Sequence, residues 1–123
     1  RRMKEAIAEG RTFPTTWPSE VTAVIIDDIG LLYYSGEPLT QIGLDIAARS
    51  CLPETLVISH TNGWNGYLGT DEDRHRGCYE TANWHRMFKP RQDIRPLPYA
   101  LGAAEVMIKS CLGLFERLVQ EEP

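Results

Sequence analysis

At 123 residues the chain fits one domain, and a composition 42% hydrophobic and 24% charged allows a sizeable core. The formal net charge of -4 gives no basic footprint, which argues against nucleic acid as a partner. Cys51, Cys78 and Cys111 are odd in number and widely spaced, against both a disulfide framework and a cysteine zinc site. No run approaches the roughly 20 apolar residues of a membrane span, and no signal-peptide core follows Arg1-Arg2, so the chain is expected to be soluble.

Residues 1 to 20 read as an N-terminal helix and connector: Met3, Ala6 and Ile7 can share a helical face that Gly10 stops, and Pro14 and Pro18 keep residues 11 to 20 extended. The apolar, β-branched run from Val21 to Asp27 predicts a strand, Asp28-Ile29-Gly30 a turn, and Leu31 to Ser35 a second strand. So little polar alternation predicts an interior hairpin covered on both faces. Gly36-Glu37-Pro38 comes next, with Pro38 suited to the first turn of a helix. Leu39, Ile42 and Ile46 trace that helix's apolar face through to Ser50, and about Glu54 to Ser59 forms the next strand. Strand, helix, strand in this order predicts a crossover that brings Glu37 and the loop at 60 to 67 to one strand edge.

Residues 56 to 80 hold the densest chemistry. An apolar strand ending at Ile58 empties into a loop with glycines at 63, 66 and 69, the rings of Trp64 and Tyr67 between them, and Asn62, Asn65 and His60 beside them. Such a loop is built to hold something. Asp71-Glu72-Asp73-Arg74-His75-Arg76 reads as a solvated face or helix start. Residues 81 to 98, with Trp84 and Phe88, read as an irregular wrapping segment. From about Tyr99, Leu101, Ala104, Ile108, Leu112, Phe115 and Val119 recur at the spacing of a long amphipathic helix. The expected class is α/β or α+β: a mixed sheet with a hairpin, a β-α-β crossover and a long C-terminal helix.

Several side chains are open to chemistry, each with a plainer role beside it. Glu37, between Gly36 and Pro38, can aim a carboxylate into a cleft, or be a helix N-terminal acid stabilised by about 0.3–1 kcal/mol. His60 can be a strand-end ligand or base, or a hydrogen-bonded loop residue. His75 and His85 stand at no metal-ligand spacing from each other. Tyr67 and Tyr79 can donate to an oxyanion or, as phenolate, ligate a metal; packing is the competing role for both.

Gly36-Glu37-Pro38 after the hairpin, then Asn62-Gly63-Trp64-Asn65-Gly66-Tyr67-Leu68-Gly69-Thr70, then Gly77-Cys78-Tyr79-Glu80, resembles the C-terminal part of the catalytic domain of the neutral/alkaline ceramidase-like family. The similarity runs in order from about Val21 to Leu118, so that residues 21 to 123 look like the C-terminal portion of that domain and of a larger whole. Members are zinc-dependent amidases that hydrolyse the N-acyl bond of ceramide by zinc-activated water. The resemblance implies Glu37 and Tyr67 as zinc ligands, shared with two histidines that precede anything in this chain and that an upstream segment or companion chain supplies. It implies Tyr79 at the substrate amide, Trp64 and Asn62 lining the substrate, and an N-acyl amide or lipid-like substrate. The sequence departs from the family pattern at Ser35, usually proline, at Trp64, usually tyrosine, and at Gly69, usually the first residue of a Thr-Thr pair. Two other readings stand beside it: a metal-free binding or assembly module, and a hydrolase of the same architecture acting on another amide or an ester.

Overall fold

The computed structural model describes residues 5, 8–10, 12, 16, 18–84 and 98–121. Most of the helix expected over residues 1 to 9, most of the wrapping segment at 81 to 98, and His85 lie outside the described residues.

The domain is mixed α and β. Strands β1 (Val21–Ile26) and β2 (Ile29–Tyr34) form an antiparallel hairpin. Its turn is Asp27–Asp28, one residue earlier than the sequence implied, because Asp27 takes a left-handed φ of 52° that a tight hairpin needs and a short polar residue tolerates. Helix α1 (Thr40–Arg49) then carries the chain back to β4 (Glu54–Ile58), which pairs parallel with β2, so the sheet order is β1-β2-β4. The expected crossover is present.

Pro38 does not open α1. Glu37–Pro38 form β3, a two-residue strand parallel to β5 (Tyr67–Leu68), and the helix starts two residues later. The ladder explains the choice: Glu37 N–H donates to the Gly66 carbonyl at 3.0 Å and Leu39 N–H to the Leu68 carbonyl at 2.8 Å. The residue between them needs no donor, and proline has none.

One face of the three-stranded sheet is closed by helix packing. Leu32 and Tyr34 of β2 meet Ile42 and Ile46 of α1 and the stripe Ala104, Met107, Ile108, Cys111 and Phe115 of α3 (Ala103–Glu121). These recur at helical spacing, so that one side of α3 is buried while Val106 and Val119 face solvent. Leu101, expected on the buried stripe, precedes the helix and is exposed. The Arg49 guanidinium, bonded to both Glu105 carboxylate oxygens at 2.9 and 3.1 Å, ties the end of α1 to the start of α3. That bond also holds the Glu105 carboxyl below its ordinary value.

The other face corrects the expectation of a hairpin covered on both sides. Side chains alternate along each strand, and register places Val24, Leu31 and Leu56 in one row and Ile26 beside Ile29 in the next. Val24, Ile26, Ile29 and Leu56 are exposed, Ile26 at 54% and Leu56 at 56%. Among the described residues this apolar surface has no covering layer, so absence of polar alternation marked an apolar face and not a local partner for it.

Candidate functional site

The site forms where the loop after β4 folds back on the end of β2. His60 N–H donates to the Gly36 carbonyl at 3.0 Å, Thr61 N–H to the Tyr34 carbonyl at 3.2 Å, and Asn65 N–H to the Ser35 carbonyl at 2.7 Å. His60 and Asn62 take left-handed φ values of 60° and 58°, conformations that cost L-residues energy and that the surrounding bonds maintain. Gly66, with φ 83°, has no substitute here: a Cβ would overlap the Trp84 indole, which lies flush against its backbone.

These contacts bring Glu37 opposite Tyr67, as Cα partners in the β3–β5 ladder. The Glu37 side chain is about a quarter exposed, and its Oε1 accepts from Trp64 Nε1 at 2.8 Å and lies 2.9 Å from His60 Nε2. The Tyr67 phenol is raised above its ordinary value by burial first, and then by the charge of Glu37 and a side-chain hydrogen bond to it. Tyr67, Trp64 and Trp84 meet edge to face, with ring centroids 5.3 to 6.3 Å apart. Tyr79 adds a fourth ring, 6.1 Å from that of Tyr67 and itself 40% exposed, so it belongs to the rim.

Tyr79 opens a single π-helical turn, Tyr79–Asn83. Before it, Thr70 and Asp73 form a capping box for α2 (Asp71–Arg76), and Gly77 ends that helix at φ 72°. The acid-base run is therefore a short solvated helix, with Glu72 and Arg76 paired on its surface. Thr81 Oγ1 donates to the Asp73 carbonyl at 3.1 Å, which fixes the π turn to α2 and Tyr79 beside Tyr67.

Four of the five residues implied by the resemblance thus converge, Glu37, Tyr67, Tyr79 and Trp64, and His60, open to a ligand or base role, joins them 2.9 Å from Glu37 Oε1. Asn62 is turned to another neighbour, its amide donating to Glu20 Oε1 at 2.7 Å. Ser35 is buried, and its hydroxyl accepts from Glu20 N–H at 3.1 Å and Asn65 Nδ2 at 2.9 Å. A proline at that position would supply neither that acceptor nor the N–H that Ser35 gives to the Glu20 carbonyl. Trp84 was legible only as part of an irregular segment; its close approach to Gly66 is what makes it central.

A carboxylate and a phenol side by side suit a hard or borderline cation, because a positive ion reverses the electrostatics that raise the Tyr67 phenol. Among the described residues, no three His, Cys, Asp or Glu side chains are grouped to hold a metal ion. A cavity of about 470 Å³ lies elsewhere, between β1, Leu68, Tyr99 and the Ala103–Met107 turn of α3. Leu68 follows Tyr67 on a strand, so their side chains leave opposite faces and this cavity does not border Glu37.

Fold and site together define a mixed α/β domain presenting a carboxylate–phenol pair within an aromatic cluster. Comparison of the chain with protein-family models, curated proteins and solved structures found no match in any of the three. No helix among the described residues is long and apolar enough to cross a membrane.

Proposed function

We propose that the chain is part of a zinc-dependent amidohydrolase, resembling neutral ceramidase, that hydrolyses an N-acyl bond. The observation that carries the reading is the pairing of Glu37 with Tyr67 across the β3–β5 ladder, since the two residues implied as ligands come from separate motifs. The exposed apolar face of the sheet supports a larger assembly in which an upstream segment or companion chain supplies the two histidines.

In this reading Glu37 and Tyr67 hold the zinc, which when bound supplies Lewis acidity and an activated water. Tyr79, on the rim beside Tyr67, donates to the amide carbonyl oxygen as it gains negative charge, where a well-placed donor is worth about 2.7–4 kcal/mol. The Trp64 indole, bonded to the carboxylate and backed by the ring of Trp84, covers one side of it. Trp64 presents its face to an N-acyl amide or lipid-like substrate, with Asn62 further along the loop.

Native mass spectrometry of the purified protein, followed by the same sample denatured, tests this. A zinc-containing species, with the remaining ligands on an upstream segment or a companion polypeptide, is the expected result. A metal-free species that stays so with added zinc overturns it and leaves a binding or assembly module. With zinc present, release of fatty acid from a panel of N-acyl substrates and esters separates a ceramidase from a hydrolase of another amide or ester.

A further inference from the structure

We propose that His60 and Trp64 are positioning residues for Glu37, holding one carboxylate oxygen so that the other is presented to a metal ion. The inference rests on the reading of Glu37 as a ligand, and the resemblance assigns His60 no role.

Both side chains address the same atom. Trp64 Nε1 donates to Glu37 Oε1 at 2.8 Å, and His60 Nε2 lies 2.9 Å from that oxygen. A carboxylate on a flexible stem rotates freely unless something holds it, and each rotamer-rich side chain costs about 0.5–1.5 kcal/mol to immobilise on binding. The Trp64 N–H bonded to Oε1 and the His60 imidazole 2.9 Å from the same oxygen remove much of that freedom in advance and leave Oε2 without either of them. A cation competing for Oε1 would have to displace both, so Oε2 is the oxygen offered to it.

Each side chain is held in turn. Trp64 is fixed by edge contacts to Trp84, at 5.3 Å between ring centroids, and to Tyr67, at 6.3 Å. His60 sits at φ 60°, with its N–H bonded to the Gly36 carbonyl next to Glu37 itself. The backbone of His60 therefore reads the position of the strand end from which Glu37 projects. A loop histidine in a strained conformation, clamped to the residue before a carboxylate and with its imidazole 2.9 Å from that carboxylate, is preorganised support for a ligand.

The test uses the complete protein, with the segment or chain that supplies the histidines, and reads zinc affinity by competition with a chelator. Trp64→Phe keeps a ring against Trp84 and deletes the N–H. His60→Asn keeps a residue that tolerates left-handed φ but cannot reach Glu37, whereas His60→Gln places an amide N–H near the position of Nε2. Trp64→Phe and His60→Asn are each expected to weaken zinc binding about 10- to 100-fold, the usual loss on removing a ligand's hydrogen-bond partner. His60→Gln is expected to recover most of it, with the melting temperatures of the metal-free forms unchanged. Cobalt(II) substitution should show an altered visible spectrum in the two weakened variants.

Tight zinc in the wild type together with equal affinity in the Trp64→Phe/His60→Asn double variant overturns the positioning role and leaves Glu37 as a ligand. A fall in metal-free melting temperature that His60→Gln does not restore overturns it in favour of a structural bond. Zinc binding that is absent from the wild type, or unaffected by Glu37→Gln, overturns the ligand reading and the positioning role with it.

Discussion

Glu37 stands opposite Tyr67 in a two-residue parallel ladder, and the phenol lies high because burial and the neighbouring carboxylate both disfavour phenolate. The first cause is local packing and the second is the pairing itself. They respond differently to substitution.

Glu37→Gln removes the negative charge and keeps the shape, so Tyr67 should titrate lower, moving toward the ordinary value of 10.0 without reaching it because burial persists. Ultraviolet titration of phenolate absorbance, with Tyr67→Phe to assign the signal, checks the sign. On the proposed zinc reading, Glu37→Gln and Tyr67→Phe should each lower zinc occupancy sharply. Full metal content in both variants would sink the ligand assignment.

Gly66→Ala should be among the more damaging single-methyl additions in the chain. A left-handed conformation costs an L-residue about 1–2 kcal/mol, and the new Cβ meets the Trp84 indole, where overpacking adds roughly 1–3 kcal/mol. Urea unfolding should show a loss of about 3 kcal/mol. The same change at Gly63, whose Cβ would meet nothing, carries only the backbone cost.

Ser35→Ala should cost about 1–2 kcal/mol, because the Glu20 N–H and the Asn65 amide both lose an acceptor in a partly buried setting. Ser35→Pro should cost more, since it also deletes the N–H bonded to the Glu20 carbonyl. Equal denaturation midpoints for the wild type and Ser35→Ala would show that the hydroxyl contributes nothing.

Burial pushes the Cys111 thiol up to about 12, from an ordinary value near 9.0. The folded state therefore disfavours a thiolate that the unfolded chain accepts. This contribution to stability is fully present below pH 9 and is lost as pH rises from about 9 to 12. Unfolding free energies of wild type and Cys111→Ala across that window should converge as pH rises. At neutral pH a thiol reagent should modify exposed Cys51 readily and Cys111 only on unfolding.

Local physics was sufficient for the elements. Apolar runs bounded by turn residues marked the hairpin and β4, and periodicity marked α1 and α3, because each signal is carried by neighbours within one or two turns of chain. Motif resemblance, likewise read from the sequence, singled out Glu37, Tyr67, Tyr79 and Trp64. Ala104, Ile108 and Phe115 were legible on α3, while Met107 and Cys111 joined them only once the width of the buried stripe was set by what it packs against.

Tertiary structure decided the rest. Pro38 belongs to a strand because Tyr67–Leu68 arrives beside it, and no feature of residues 36 to 40 encodes that arrival. The apolar sequence of the hairpin determined that both sheet faces would be hydrophobic, whereas only the placement of α1 and α3 decided which face is covered. The sequence supplied a carboxylate, an imidazole and an indole in separate segments; their meeting on Glu37 Oε1 depends on a loop closing onto the end of β2 through backbone bonds that any residues but proline could make. Side-chain identity is a local property and is written in the chain, but coincidence in space is set by backbone pairing between distant segments, which composition and periodicity do not record.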